Sequence, residues 1–362
     1  MEYGKSRSGL SFGRERLLWG YVVSSTSKAS QAQKRVTSYD VARIAGVSQS
    51  AVSRCFAPGG SVSPSKRERI EKVAKELGFR PNALAQALIS KRTNLVAVLI
   101  SSHTNLYYPE VLDELTRRLT DRNTRILLFS LRSEGEVDDI LDQVWRHGVD
   151  GAICAARLSD AQISMFEDNG VPLVLYNRLP SAAHAAAVCC DSVAGERMLV
   201  DHLVAAGHQQ FAIVAGPDDS YVGEERRRAA LERLAAHGFA DVSVLHGDFS
   251  YSSGGEALRR LMAGGSRPDA VICVNDLMAI GAIDTARDEF GLAIPDDISI
   301  VGFDGSAPAA WSSYRVTSIR QPVRRMTAAA VAMLFERIEQ ATPAESRLFV
   351  GEFVPGNSAR LV

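Results

Sequence analysis

The sequence predicts a chain of two parts, a short all-helical unit near its start and a larger α/β body built from two parallel-sheet subdomains. Residues 36–90 show only helical periodicity, whereas from residue 93 onward apolar runs of strand length alternate with amphipathic stretches. There are about ten such runs, which is many for one sheet. A length of 362 residues also favours more than one domain.

The first 35 residues show no regular hydrophobic period and are rich in serine and basic side chains. We expect residues 1–35 to form a disordered basic extension. The run LLWGYVV is at the lower limit of length for a signal peptide, so export is disfavoured. No apolar run reaches the roughly 18 residues that a membrane span needs.

Residues 36–81 predict three short helices. Thr37 and Asp40 have the spacing of a capping box at the start of the first, and Gly46 ends it. Ser48 can cap the second helix, and Pro64 suits the first turn of the third. The small and β-branched side chains that can form their shared core include Val41, Ala42, Ala45, Val47 and Val52.

The second helix then leaves short polar groups and one arginine on its exposed face, namely Gln49, Ser50, Ser53 and Arg54. Side chains of this kind can reach base edges in a major groove. The charge distribution agrees with a polyanionic partner. Residues 1–92 carry 17 basic and 6 acidic side chains, a net +11, whereas the remainder carries 24 basic and 36 acidic ones, a net −12.

The predicted strands of the body are continuous apolar runs, as expected for parallel sheets covered on both faces. They are NLVAVLIS, TRILLFS, VDGAICA, VPLVLYN, AVCCD, FAIVAG, VSVLHGD, AVICVN, ISIVGFD and VTSIRQ. The five cysteines are scattered among these elements without a CxxC pair or metal-ligand spacing. We therefore expect buried, reduced thiols, no metal site and no cofactor.

Residues 36–362 resemble the lactose-repressor (LacI/GalR) family of transcription regulators. VTSYDVARIAGVSQSAVSR is similar to the family's helix-turn-helix DNA-binding headpiece, and FRPNALAQAL is similar to its hinge. GHQQFAIVAGP, VNDLMAIGA, ISIVGFD and TSIRQPV then follow in the family's order. The resemblance implies a body with the fold of a type I periplasmic binding protein.

The resemblance also implies roles in DNA binding. Tyr39 would contact phosphate, and Gln49, Ser50, Ser53 and Arg54 would face the bases, with Arg54 suited to a bidentate contact with guanine. Asn82, Ala85 and Leu88 would belong to a hinge helix that places Leu88 in the minor groove as an apolar wedge. The alternative for Leu88 is an ordinary buried helix position.

In the body, the resemblance implies an effector site between the two subdomains, at the carboxyl ends of the strands, where a sugar ring could stack on aromatic rings. The residues implied are Asn105, Tyr107, Tyr108, Asn177, Arg178, Arg226, Phe249, Asn275, Asp304 and Gln321. For the tyrosines the alternative is a core position, and for Arg226 a solvated helix face. Asp276 is expected to cap the helix DLMAIGA.

The charges among these residues bear on the effector. Asn177 stands where the family often has an acidic residue, which leaves Arg178 and Arg226 against Asp304. A buried surplus charge is costly unless the ligand compensates it. We therefore expect a sugar acid or sugar phosphate slightly ahead of a neutral sugar.

The resemblance further implies an allosteric repressor, in which effector binding changes the separation of two hinge segments in a homodimer bound to a pseudo-palindromic operator. Since no heptad-repeat tail follows the last body strand, a dimer is favoured over a tetramer. The expected locations are the cytoplasm and the nucleoid. The expected domains are a DNA-binding domain at 36–81, a hinge and linker at 82–92, one subdomain at 93–190 and 320–348, and another at 191–319 and 349–362.

Three alternatives remain open at this point. An α/β enzyme is disfavoured because the sequence lacks GxGxxG and GxxxxGK[ST], and because no Ser/His/Asp set stands out. A secreted solute-binding protein would explain the body but not residues 36–90. The third alternative is a DNA-binding regulator that responds to a non-sugar metabolite or to a partner protein.

Overall fold

A computed structural model of the protein describes residues 36–57, 59–80, 92–101, 106–131, 137–180, 185–218, 220–265, 267–340 and 342–362. They form two compact units, which we call the headpiece (residues 36–80) and the body (residues 92–362). The predicted extension at 1–35 and nearly all of the predicted hinge lie outside the described residues.

The headpiece consists of three helices, α1 (Ser38–Ala45), α2 (Gln49–Phe56) and α3 (Pro64–Glu76). Each helix contributes small or β-branched side chains to one core, including Val41, Val52 and Ile70, which are at most 1% exposed. The predicted core is confirmed, with Val47 only partly buried.

The helix ends of the headpiece also follow the predicted pattern. The backbone N–H of Thr37 donates to Asp40 Oδ2 at 3.0 Å, and Ser48 Oγ accepts from the Ala51 N–H at 3.2 Å. Gly46 has φ 62°, a left-handed conformation that costs a glycine little, and it directs the chain from α1 into α2.

The body contains two six-stranded sheets, so the predicted two-sheet α/β architecture is confirmed. The first sheet has the order β11-β5-β4-β3-β1-β2 with all neighbours parallel, and the second has the order β12-β10-β9-β8-β6-β7 with only β12 antiparallel to its neighbour. The strands are β1 (Leu95–Ser101), β2 (Arg125–Leu131), β3 (Gly151–Cys154), β4 (Leu173–Tyr176), β5 (Ala186–Cys190), β6 (Phe211–Ala215), β7 (Ser243–His246), β8 (Ala270–Cys273), β9 (Ser299–Asp304), β10 (Thr317–Arg320), β11 (Ser346–Phe349) and β12 (Glu352–Val354).

Helices cover these sheets, as the alternating pattern predicts. They are α4 (Tyr108–Asp121), α5 (Val137–His147), α6 (Asp160–Asp168), α7 (Ser192–Ala205), α8 (Tyr221–Ala236), α9 (Tyr251–Ala263), α10 (Asp276–Asp288) and α11 (Val323–Gln340), with a short 3-10 turn at Ala307–Ala310. One apolar cluster runs from the first sheet into the second, and another covers the remaining face of the first sheet.

The chain passes between the two sheets three times, after β5, after β10 and after β11. The three passages converge at Gly351. A Cβ atom there would lie 2.5 Å from Ile319 Cγ2, 3.1 Å from the Arg320 carbonyl oxygen and 3.5 Å from Cys190 Sγ. Only a residue without a side chain fits this crossing.

Other sequence expectations can be read directly from the fold. All five cysteines are free and buried, as predicted. In the described ranges, no three His, Cys, Asp or Glu side chains are placed to hold a metal ion. Of the helices described, none is both long and apolar enough to cross a membrane.

Candidate DNA-binding face and effector site

The candidate DNA-binding face is the side of α2 that points away from the headpiece core. Ala51, Val52 and Cys55 of α2 are buried in that core, so the remaining positions lie on the opposite side. We call this side the recognition face; it consists of Gln49, Ser50, Ser53 and Arg54. Ser50 and Arg54 are exposed, whereas Gln49 and Ser53 are half-buried.

The members of the recognition face differ in how firmly they are held. Gln49 Nε2 donates to Ser38 Oγ at 3.3 Å, and the hydroxyls of Ser50 and Ser48 are 3.0 Å apart. The Arg54 guanidinium has no hydrogen-bond or ion-pair partner among the described residues. Tyr39, predicted to contact phosphate, is 71% exposed on α1. These side chains are available to a partner without rearrangement of the core.

A second arginine, Arg67 on α3, has a different position that the sequence pattern did not single out. Its Nη1 donates to the Cys55 carbonyl at 2.8 Å and its Nη2 to the Gly60 carbonyl at 3.0 Å. The guanidinium thereby satisfies a carbonyl at the carboxyl end of α2 and fixes the following turn. Its only sequence signal was a basic residue one turn before the buried Ile70.

Several predicted site residues lie outside the described residues. They are Asn82, Ala85 and Leu88 of the predicted hinge and Asn105 of the loop after β1. Their assignments stay predictions.

The centre of the candidate effector site is a buried cluster of three polar side chains from the second sheet and its helices. We call Arg226, Asp304 and Gln321 the effector cluster; each is at most 2% exposed. Arg226 Nη1 lies 2.9 Å from Asp304 Oδ1 and donates to the Val274 carbonyl at 2.7 Å. Gln321 Nε2 donates to the same Asp304 oxygen at 2.7 Å.

The elements of the second sheet hold this cluster in place. Arg226 lies on α8, Asp304 ends β9 and Gln321 follows β10, so parallel neighbouring strands deliver two members to one edge. The Arg226 guanidinium also stacks over the Phe303 ring, 3.7 Å from its centroid. The burial of Arg226 excludes the alternative that it lies on a solvated face of its helix.

Two atoms of the effector cluster retain unused hydrogen-bonding capacity. Arg226 Nε and Gln321 Oε1 are buried and have no partner among the described residues. Buried polar atoms without partners cost free energy unless a ligand or water satisfies them. The cluster can therefore offer one donor and one acceptor to a hydroxylated ligand.

The first sheet contributes aromatic rings and a third charge to the same region. Tyr107 is 3% exposed, its hydroxyl lies 3.2 Å from that of Tyr176, and its ring meets Tyr108 edge-on at 5.7 Å. Burial raises the pKa of Tyr108, and the Arg178 charge opposes that rise. The charges of Asp304 and Arg226 also act on Tyr108, which brings side chains of both sheets into one electrostatic environment.

Asn177 and Arg178 follow β4 and have different surroundings. Asn177 has φ 57°, and its Oδ1 accepts from the Cys190 N–H at 3.2 Å, which ties the end of β4 to β5. Arg178 is half-buried; its Nε donates to the Ala155 carbonyl at 2.8 Å, and its Nη1 is buried with no partner among the described residues. Arg178 thus has donor capacity to spare, whereas the Asn177 oxygen is occupied.

The remaining two predicted residues, Asn275 and Phe249, bind each other. Asn275 Oδ1 accepts from the Met278 N–H at 3.0 Å, and its Nδ2 donates to the Phe249 carbonyl at 3.0 Å. The Phe249 ring packs on Gly216, where a Cβ atom would lie 2.5 Å from it. Both residues shape the site, and their contact with a ligand stays a prediction.

The structure corrects the expectation that Asp276 caps its helix. The cap of α10 is Asn275, and Asp276 is itself buried. Its carboxylate accepts from the Ser306 N–H and from Ser318 Oγ, both at 2.6 Å. Burial, together with the nearby charge of Asp304, raises the pKa of Asp276 to about 7. The local geometry favours Asn275 as the cap because its extended backbone lets its oxygen reach back to the helix.

One further buried acid, Glu196 on α7, went unnoticed in the sequence. It is fully buried and lies near Arg226 and Asp304. A signal was present, because positions 196, 199, 200 and 203 have helical spacing and the last three are apolar. The periodicity places a glutamate on the buried stripe of its helix.

Comparisons with known proteins agree with both parts of the chain. Residues 37–82 match the family model described as bacterial regulatory proteins, lacI family, and residues 200–359 match a periplasmic binding protein-like domain. The transcriptional regulator CelR of Thermobifida fusca is 31% identical over 329 residues, which are 88% of this chain and 96% of CelR.

Two solved structures are similar to this chain over most of its length. The Lac repressor dimer bound to operator and the anti-inducer ONPF has a TM-score of 0.82 at 28% identity, covering 90% of this chain and 99% of that one. A complex of the transcriptional regulator CelR with cellobiose has a TM-score of 0.68 at 29% identity, covering 90% of this chain and 100% of that one.

Proposed function

Since this chain belongs to the lacI family of bacterial regulatory proteins, we propose that it is a repressor whose operator affinity is set by a sugar-like effector bound between the two sheets of its body. The family consists of DNA-binding transcription regulators and not of enzymes. The observation that carries the proposal is the effector cluster, a buried arginine, aspartate and glutamine with hydrogen-bonding capacity still unused.

In this proposal the headpiece reads DNA through the recognition face. Arg54 is the specificity residue, because an exposed guanidinium without an internal partner can form a bidentate pair with guanine. Gln49, Ser50 and Ser53 make the neighbouring base contacts, and Tyr39 contacts phosphate. Asn82, Ala85 and Leu88 form the hinge helix, with Leu88 wedged into the minor groove.

The proposed division of the chain follows from these roles. The DNA-binding domain is 36–81 and the hinge and linker are 82–92. One body subdomain comprises 93–190 and 320–348, and the other 191–319 and 349–362. Support comes from the sheets, because strand β11 (Ser346–Phe349) lies in the first and strand β12 (Glu352–Val354) in the second.

The effector proposed is a sugar, with a sugar acid or sugar phosphate favoured over a neutral sugar. Arg226 is already balanced by Asp304 at 2.9 Å, so the surplus positive charge is that of Arg178. An anionic group on the ligand would balance that charge. Tyr107, Tyr108 and Phe249 supply rings for stacking, and Asn105, Asn177, Asn275 and Gln321 supply polar contacts. The bound cellobiose of the CelR complex supports a sugar.

The proposed mechanism is a population shift. The effector stabilises one arrangement of the two body subdomains, and in a homodimer this changes the separation of the two hinge segments. The hinges then form helices on a pseudo-palindromic operator only in the competent arrangement. The Lac repressor dimer bound to operator supports the dimer, and a two-fold symmetric dimer in turn requires a pseudo-palindromic operator. A regulator of this kind acts on the nucleoid in the cytoplasm.

The DNA-binding part of the proposal is tested by selecting operator sequences from random DNA and comparing Arg54→Ala with the parent protein. We expect a loss of about 1–3 kcal/mol in operator affinity and relaxed specificity at one base pair in each half-site. Arg260→Ala, an exposed arginine of the body, is the matched control and should leave affinity unchanged. Selection of no sequence by the parent protein would overturn the proposal.

The effector part is tested with Arg226→Ala, in which we expect the ligand response to vanish while operator binding persists. The measurement is a thermal-shift screen of parent and variant against neutral sugars, sugar acids and sugar phosphates. A ligand at about 100 times its Kd adds roughly 2.7 kcal/mol of stability, which a melting curve resolves. Unchanged ligand affinity in the variant would remove the effector cluster from the site.

A further inference from the structure

Glu196 is a buried acid in the body that no predicted role accounts for. It is 0% exposed, and neither of its carboxyl oxygens has a hydrogen-bond partner among the described residues. Both forms of the carboxyl lose their hydration in such a place, but the loss costs a carboxylate ion far more free energy than it costs the protonated carboxyl. Burial accordingly raises the pKa of Glu196 to about 8, against the opposing charge of Arg226.

The turn of α7 that contains Glu196 packs against the second sheet beside Phe303. A Cβ atom on its neighbour Gly195 would lie 2.8 Å from the Phe303 ring and 3.2 Å from Ile319 Cγ2, so this turn of α7 rests directly on the second sheet. The same Phe303 ring carries the Arg226 guanidinium at 3.7 Å. Glu196 and Arg226 interact electrostatically, so Glu196 belongs to the surroundings of the guanidinium whose Nε has no partner among the described residues.

Few other ionisable groups face this carboxyl. Three ionisable groups interact with it electrostatically: Arg226 from α8, Asp304 from the end of β9 and Cys273 from the end of β8. On the strands packed against α7, Arg320 and Glu352 are exposed to solvent. The charge state of Glu196 is thus felt mainly by the effector cluster.

The net charge around Arg226 depends on two buried acids with raised pKa values, Glu196 and Asp276. The charges of Arg178 and Arg226 against that of Asp304 leave one positive charge when Glu196 and Asp276 are both uncharged. An ionised Glu196 would bring the sum to zero and leave nothing for an anionic ligand to balance. Asp276 lies nearby and titrates as well, but its two hydrogen bonds to Ser306 and Ser318 are independent of Glu196.

We propose that Glu196 is a specificity-determining residue of the effector site. While Glu196 is uncharged, the surplus positive charge of the two arginines favours an anionic effector, and ionisation of Glu196 cancels that surplus. This inference rests on the proposed function, because it takes the effector cluster to be where the effector binds. Glu196 need not touch the ligand, and acts on it through Arg226.

The first test needs no ligand and compares Glu196→Gln with the parent protein in melting curves from pH 5 to pH 9. The folded-state pKa is raised above the unfolded value, so the stability that the protonated carboxyl provides is full at low pH and is lost as pH rises toward about 8. Glutamine has the same shape and no titration. We expect equal Tm values near pH 5 and a Tm several degrees higher for the variant at pH 9.

Glu114→Gln is the matched control. Glu114 is 7% exposed but pairs with Arg117 and Arg118, each at 2.6 Å, and the hydrogen bond from Arg117 lowers its pKa. Its contribution is present above its unfolded pKa and lost on acidification, so this variant should be less stable than the parent at pH 9. If the Tm of Glu196→Gln instead ran parallel to that of the parent at every pH, the inference would be overturned.

The second test measures binding of gluconate, glucose 6-phosphate and ribose 5-phosphate, with glucose, ribose and cellobiose as neutral probes, at pH 7 and pH 9. For an anionic probe we expect the Kd of the parent, relative to that of Glu196→Gln, to rise about tenfold between these pH values. Taking the ratio at each pH cancels the titration of the probe and of Asp276.

The outcomes separate this inference from the proposed function. Three outcomes would each overturn the role of Glu196. In the first, an anionic probe binds but the ratio of the two Kd values is the same at pH 7 and pH 9. In the others, only neutral probes bind, or no probe binds while operator recognition persists. If the parent protein recognised no operator sequence at all, the proposed function would be overturned instead.

Discussion

The recognition face and the effector cluster use similar polar side chains in opposite ways. The recognition face projects from a small core, and its Arg54 has no internal partner among the described residues. The effector cluster is at most 2% exposed, and its Arg226 is paired with Asp304 at 2.9 Å and stacked on Phe303. If the two sites have their proposed roles, binding and stability are separable at the recognition face, whereas at the effector cluster the same contacts serve both.

This difference has a physical origin. A phosphate or base edge arrives with its own charge and water, so the protein gains by keeping its DNA-binding groups hydrated and free until then. A small ligand must be surrounded to be recognised, so groups that bind it are buried and satisfy one another in part before it arrives.

Asp304→Ala tests whether the contacts of the effector cluster also stabilise the fold. The change leaves the Arg226 charge buried without its partner, and we expect the free energy of unfolding to fall by about 3–5 kcal/mol. Urea unfolding followed by circular dichroism measures the loss. In the double variant with Arg226→Met, much of the loss should be recovered because no charge remains buried. A double variant as unstable as Asp304→Ala alone would contradict the pairing.

Within the headpiece, Arg67 and Arg54 test whether a partnered and an unpartnered arginine differ in their contribution to stability. Arg67→Ala removes charge-assisted hydrogen bonds to the Cys55 and Gly60 carbonyls and should lower the free energy of unfolding by about 1–3 kcal/mol. Arg54→Ala should change that quantity by less than about 0.5 kcal/mol, since its side chain is exposed and unpaired. Chemical denaturation of the full chain, resolved by hydrogen exchange in α2, distinguishes them. Equal destabilisation would show that Arg54 also holds the fold.

The smallest expected effect concerns two neighbouring serines. Ser48→Ala removes the cap of α2 and should cost about 1 kcal/mol of stability. Ser50→Ala removes a hydroxyl of the recognition face and should leave stability nearly unchanged while weakening operator binding. Melting curves and operator titrations of both variants measure the contrast, and it fails if the two serines behave alike in both measurements.

The sequence predicts most of the fold because the strongest signals are periodic. Ten continuous apolar runs become strands, and the caps of α1 and α2 follow from Thr37, Asp40 and Ser48. Twelve strands are present among the described residues. The two that the pattern missed, β11 and β12, are short, half-exposed strands at the edges of the sheets, so they lack the apolar run on which the prediction depended.

The candidate site is less predictable because long-range contacts decide it. Arg226 lies in EERRRAALERL, a stretch in which arginines also form exposed pairs such as Arg227 with Glu224 at 2.6 Å. Nothing local tells which arginine turns inward to meet Asp304, 78 positions later in the chain. Only the family resemblance selected it. Asp276 was assigned to the cap by its position, whereas Ser306 and Ser318, which hold it, are distant in sequence.

The meeting of three chain passages at Gly351 has a consequence for how the body responds to any ligand. Because three tethers lie side by side there, we expect them to prevent sliding of the two halves and to restrict their relative motion to a bend about Gly351. In the proposed function, a ligand bound between the two sheets would then act by favouring one direction of this bend. Induction and corepression would correspond to opposite directions of the bend, and we expect a side chain placed at Gly351 to bias it with no ligand bound.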